Sequence, residues 1–149
     1  MQGDLADGLA IALTPLADEV LRGVQKAAPE AVDLAFENRG FLIRACRFLA
    51  SQTGIDQFLD CGSGLPTAEN VPQVVQRLNP DSTGVYIDND PVVLAHGRAL
   101  LEENEFTHLV DQDIFNPRAV LQDETVRAQI DFTRPLAFLQ LGTLHHYYG

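Results

Sequence analysis

The sequence predicts an α/β fold. The expected architecture is a Rossmann-like, doubly wound parallel sheet in three αβα layers, preceded by helices and truncated after its fourth strand. Three observations predict it. From residue 57 onward, short apolar runs alternate with segments of helical period, and strict alternation implies crossover connections and parallel strands. The run Phe58-Leu59-Asp60-Cys61-Gly62-Ser63-Gly64 reads as a buried strand ending in a carboxylate and a glycine turn. That is how a ligand-cradling loop begins at a strand's carboxyl end. The run Leu136-Ala137-Phe138-Leu139-Gln140-Leu141 is nearly apolar throughout, as a strand covered on both faces would be.

Taken in order, residues 4–28 place Leu5, Leu9, Leu16, Val20 and Val24 at helical spacing. Pro15 divides or bends this segment, because proline removes a helical donor and clashes one turn back. Pro29 opens the next helix, with Glu30 well placed in its first turn. The stripe Leu34, Phe41, Leu42, Ala45, Phe48 and Leu49 carries that helix to residue 51. Gly40 weakens it by about 1 kcal/mol, and Gly54 ends it. Phe58-Leu59 is the first strand. Pro66 and Pro72 delay the following helix to 71–78, which makes the loop 61–70 long. Asn79-Pro80-Asp81-Ser82 is a turn. Val85-Tyr86-Ile87 is the second strand, closed by Asp88. Pro91 starts a helix over 91–103. Residues 107–110 form the third strand, ending near Asp111 and Asp113, and Pro117 opens a single helix over 117–128. The chain thus divides into a helical segment, 1–53, packed on a half-domain, 54–149.

At 149 residues there is enough chain for one domain with a sizeable core, and 46% hydrophobic content is that of an ordinary soluble globule. Acidic side chains outnumber basic ones 21 to 10, for a formal net charge of −11. That balance argues against general binding to nucleic acid or anionic membrane, where affinity comes from clustered Lys and Arg. No apolar run approaches the roughly 20 residues that span a bilayer. The short run 9–13 lacks the flanks of a signal peptide. Cys46 and Cys61 make neither a disulfide framework nor a metal cluster and read as reduced thiols. His96 and His108 are too scattered for a metal site. A cytoplasmic location is expected.

The strand ends favour one ligand chemistry. Asp60 stands directly before Gly62, Thr67 replaces the third glycine of a G-x-G-x-x-G pattern, and no G-K-[ST] follows. A pyrophosphate or P-loop phosphate is therefore a poor match. S-adenosylmethionine is a better one, since it has no phosphate and carries an ammonium and a sulfonium that a nearby carboxylate stabilises. Asp88, closing the second strand, suits the two ribose hydroxyls. Asp113, after the third, suits an adenine amino group, with Ile114 against the base. Each aspartate alone reads as a turn former; together with Gly62 and Gly64 they favour a ligand.

The stretch Asp60-Cys61-Gly62-Ser63-Gly64-Leu65-Pro66-Thr67, followed by Val85-Tyr86-Ile87-Asp88-Asn89-Asp90-Pro91, resembles the class I S-adenosylmethionine-dependent methyltransferases. More narrowly, it resembles a bacterial S-adenosyl methyltransferase family of unassigned substrate. In that family a helix bearing Asn-Arg-x-Phe-Leu precedes the first strand, as Asn38-Arg39-Gly40-Phe41-Leu42 does here. The resemblance covers residues 17–146. It implies that Asp60, Gly62, Ser63 and Gly64 hold the methionine portion of the cofactor, with Thr67 on the same loop. It implies further that Asp88 and Asn89 hold the ribose and adenine edge, and Asp113 with Ile114 the base. Two departures stand out. The tyrosine- and glycine-rich segment that precedes the first helices in family members is not found, and the strands that follow the fourth in them are not reached.

His145 and His146 follow the fourth strand at its ligand-facing end, where a histidine would serve as general base for methyl transfer. With Tyr147 and Tyr148 they would also rim an acceptor; the simpler reading has one histidine packing locally and the other solvated. Arg39 reads as a surface partner of Glu37 and Asp33, or as a cation for the cofactor's carboxylate or an acidic substrate. A bare edge at the fourth strand predicts either further chain or a second copy covering it. The expected partners are S-adenosylmethionine and an unidentified acceptor. Two other readings are a module that holds the cofactor without turnover and an oxidoreductase using a nicotinamide dinucleotide.

Overall fold

The computed structural model describes residues 26–64, 71–101, 104–144 and 147–148, with 19, 22 and 23 ahead of them. The helices expected over 4–28 lie largely outside the described residues. Helix α1, Pro29–Phe48, starts where proline fixes the first turn, with Glu30 beside the positive helix end and Arg47 beside the negative one. It passes into a wider π-helical turn, Leu49–Thr53, closed by Gly54 at φ 71°. Its buried side faces inward through Leu42 and Cys46, whereas Leu34, Phe41 and Phe48 point outward. The stripe expected to be buried is therefore rotated, and half of it lies on the open side of the helix.

Four strands follow: β1 (Gln57–Cys61), β2 (Thr83–Asp88), β3 (Thr107–Asp111) and β4 (Ala137–Leu139). They alternate with α2 (Val71–Leu78), α3 (Pro91–Leu101), α4 (Pro117–Gln122) and α5 (Glu124–Gln129). All pairings are parallel and the spatial order is β3-β2-β1-β4. Successive connections step outward from β1 to β2 to β3, then the chain returns across the sheet to place β4 on the other side of β1. The strand order reverses between β1 and β4, and ligands bind at such a switch point in open α/β sheets.

The expected single helix over 117–128 is two helices. Asp123 breaks it, because its side chain accepts from the backbone N–H of Thr125 and Val126 at 2.9 and 3.2 Å as the N-cap of α5. That local bond competes with continuing the first helix.

Strand side chains alternate between two faces. Phe58, Tyr86, Ala137 and Leu139 share one face with Leu42 and Cys46 of α1 and Val71 and Val75 of α2. Gly97 of α3 approaches Leu109 on that same side, leaving no room for a side chain. Leu59, Cys61, Val85, Ile87 and Val110 pack on the other face against Val120, Val126 and Ile130. The three layers of the expected fold are therefore present. Strand β4 lies at the sheet edge, as expected, but it is shorter than the apolar run 136–141 and leaves Phe138 56% exposed on the second face, which was expected to be covered. No helix among the described residues is long and apolar enough to cross a membrane.

Candidate functional site

The carboxyl end of β1 carries a sharp turn. Gly62 and Gly64 have φ of 75° and 68°, a backbone region open to glycine and costly for other residues. The N–H groups of Gly62 and Ser63 donate to the carbonyl of Ile87 at 2.8 and 3.3 Å. That of Gly64 donates to Asp88 Oδ2 at 3.0 Å, while Asp90 N–H donates to Asp88 Oδ1 at 3.0 Å. One carboxylate thus fixes both the glycine turn and the entry to α3. Asp113 makes a similar turn beyond β3, its Oδ1 accepting the Phe115 N–H at 2.8 Å.

Two cavities open on either side of this turn and share Gly62, Gly64 and Gly142 in their walls. One, of about 270 Å³, is bounded by Asn38, Arg39 and Leu42 of α1 and by Asp60 and Ser63. The other, of about 350 Å³, is bounded by Asp88, Asn89, Asp113, Ile114, Phe115 and Thr143. Eight of the residues anticipated from sequence, Asp60, Gly62, Ser63, Gly64, Asp88, Asn89, Asp113 and Ile114, therefore meet around one divided cleft. Thr67, His145 and His146 lie outside the described residues.

Asp60 is 5% exposed. Burial pushes its carboxyl up to about 7; Arg39 opposes that shift and Asp88 adds to it. A buried carboxylate of this kind calls for a cation. Arg39 supplies part of it from α1, inside the cleft. Burial also pushes the thiols of Cys46 and Cys61 up to about 12, so neither is a nucleophilic thiolate at neutral pH. Among the described residues no group of three or more His, Cys, Asp or Glu could hold a metal ion.

Several wall residues were not assigned a role from sequence. Asn38 was visible only as part of a helix motif, because nothing local says which face of α1 meets the sheet. Gly142 and Thr143 sit in the loop after β4 and reach the site only through the crossover that returns β4 to β1. Phe115 packs against Tyr147 with ring centroids 5.1 Å apart and planes tilted by 38°, which brings Tyr147 beside the loop after β3. Tyr148 points to solvent.

Sheet order, glycine turn and cleft define a Rossmann-like α/β protein with a divided cleft at the β1–β4 switch point. The chain belongs to the S-adenosyl methyltransferase family, whose profile matches residues 14–148. It is similar to a protein from Thermobifida fusca YX named as a candidate methyltransferase, with 46% identity and a TM-score of 0.80. That match covers 88% of this chain and 50% of the other. It is also similar to a DUF574 family protein from Streptomyces avermitilis MA-4680, with 35% identity and a TM-score of 0.72, covering 81% of this chain and 47% of the other. The chain thus spans about half the length of the solved structures it matches. No curated protein matches it.

Proposed function

We propose that the divided cleft binds S-adenosylmethionine and that the chain is the cofactor-holding part of a methyltransferase. One observation carries this reading: the two cavities joined at Gly62 present a buried acid with an arginine on one side and two acids with apolar neighbours on the other. A methionine end, with ammonium and carboxylate, suits Asp60 and Arg39. An adenosine end suits Asp88 and Asn89 at the ribose and Asp113 with Ile114 at the base.

The donor set also argues against a dinucleotide. The N–H groups of Gly62, Ser63 and Gly64 already donate to Ile87 and Asp88, so none of these three amides is free to cradle a diphosphate. Two phosphate charges would in addition face Asp60, Asp88 and Asp113 across a small cleft.

When bound, S-adenosylmethionine supplies an activated methyl group on its sulfonium. The protein's part is to hold the cofactor's two ends apart across the turn, align the methyl with an acceptor, and keep water out. For acceptors that must lose a proton, His145 and His146 follow the β4 loop in sequence, and imidazole is a side chain suited to take it.

The reading is tested by calorimetric titration with S-adenosylmethionine, S-adenosylhomocysteine, NAD and NADP. Binding of the first two alone supports it, and binding of a dinucleotide overturns it. Release of S-adenosylhomocysteine with a candidate acceptor separates an enzyme from a module that only holds the cofactor.

A further inference from the structure

Thr143 stands beside Gly62, one of the residues that both cavities share. It follows Gly142 in the loop after β4 and lines the cavity that holds Asp88, Asp113 and Ile114. Its Cγ2 packs so closely on Gly62 that a Cβ added at Gly62 would collide with it. Gly62 itself borders both cavities. A β-branched side chain has few rotamers, and a methyl wedged against the turn selects among them, so Oγ1 is aimed rather than free. That Oγ1 is buried and has no hydrogen-bond partner among the described residues. Native proteins rarely leave a buried hydroxyl unpaired, and such an atom calls for a partner that occupies the site.

The joint between the amino-acid side and the adenosine side of the cleft is where the C5′–sulfur–methyl segment of the cofactor must pass. We propose that Thr143 Oγ1 faces this sulfonium and makes the site favour the charged methyl donor over its neutral demethylated product. The inference rests on the reading that the cleft takes S-adenosylmethionine. A hydroxyl oxygen directed at a sulfonium and its polarised methyl gains an ion–dipole attraction. The same oxygen against a neutral thioether does not, just as hydrogen bonds to charged partners exceed neutral ones. Thr143 thereby helps the spent cofactor leave.

The test is calorimetric titration of the chain and its variants with S-adenosylmethionine and with S-adenosylhomocysteine. Thr143→Val keeps the methyl on Gly62 and removes the oxygen. It should weaken the methyl donor about tenfold and the product less than about threefold. Thr143→Ser keeps the oxygen and should hold the wild-type ratio of the two affinities. Thr143→Ala differs from Thr143→Ser by the oxygen alone, so that pair carries the same comparison if the valine variant does not fold. An unchanged ratio on removal of the oxygen overturns the inference and leaves the cofactor reading standing. A wild-type chain that binds neither ligand overturns both.

Discussion

Asp88 and Gly64 are tied together: the carboxylate at the end of β2 accepts the Gly64 N–H at 3.0 Å and so sets the turn after β1. Its other oxygen holds Asp90 N–H at the same distance. Removing this carboxylate releases two backbone donors and the group proposed to meet the ribose. Asp88→Ala should lower affinity for S-adenosylhomocysteine about a hundredfold and cost about 1–3 kcal/mol of stability. Asp88→Asn, which keeps one acceptor oxygen, should fall between. Calorimetry and urea denaturation check these together, and an unchanged affinity in the alanine variant removes the ribose assignment.

Gly62 and Gly64 share a left-handed backbone but differ in their surroundings. A Cβ at Gly62 would collide with Thr143 and press on Ile114 at 3.2 Å, whereas one at Gly64 meets none of the described residues within 4 Å. Gly64→Ala therefore bears only the conformational penalty, about 1 kcal/mol. Gly62→Ala adds a clash inside the switch point and should cost roughly 2–4 kcal/mol. Equal losses in denaturation midpoint would show that Thr143 yields easily and does not wedge the turn.

The sheet was legible because its strands announce themselves locally: apolar runs, proline helix starts and the acid–glycine turn all act over a few residues. Helix α2 has the bounds that Pro72 and the Asn79-Pro80 turn dictate. The break at Asp123 was less legible, since an aspartate in a helical run is a cap only if its carboxylate finds the next turn's N–H groups. Half the cleft could be read, because Asp60, Asp88 and Asp113 each follow a strand, and strand ends share one side of a parallel sheet. Asn38 on the α1 wall and Thr143 could not. Their position depends on how a helix face docks and on where β4 re-enters the sheet, and both are long-range outcomes.

Asp60 should give the protein a pH signature. Its carboxyl titrates at about 7 when folded, chiefly through burial, against about 3.9 for an exposed aspartate. Between those values the folded state holds a proton that the unfolded state has released, so stability falls as pH rises. The Asp60 contribution is complete below about pH 4 and gone above about pH 7, with a slope of at most ~1.4 kcal/mol per pH unit. Asp60→Asn, which stays neutral, should flatten the urea-denaturation profile over this window relative to wild type. A bound cation favours the carboxylate, so S-adenosylmethionine should bind more tightly at pH 8 than at pH 6. Uptake near neutral pH should release a proton, visible as a buffer-dependent heat that the asparagine variant lacks.

Far from the cleft, at the amino end of β1, Gln57 and Arg134 make a contrast that tests which polar contacts hold the fold. Gln57 is buried, and its amide nitrogen donates to the carbonyls of Asp131 and Pro135 at 3.1 and 3.2 Å. Its oxygen accepts the Asp131 N–H at 2.6 Å. These three bonds anchor the loop that delivers the chain to β4, and β4 in turn forms one side of the switch point. Arg134 pairs with Asp56 at 2.6 Å, but its side chain is 52% exposed. Water screens such a pair and its two side chains lose rotamer freedom to form it, so its net value is about 0–1 kcal/mol. Gln57→Leu leaves three part-buried backbone groups without their partner and should cost roughly 1–3 kcal/mol, whereas Arg134→Ala should cost under about 1 kcal/mol. Because the loop leads into β4, the Gln57 variant should also loosen Gly142 and Thr143 and weaken cofactor binding, with Arg134→Ala leaving it unchanged. Denaturation and calorimetry on the two variants decide the matter: similar stability losses would mean that the short ion pair, rather than the buried amide, fixes the return of the chain to the sheet.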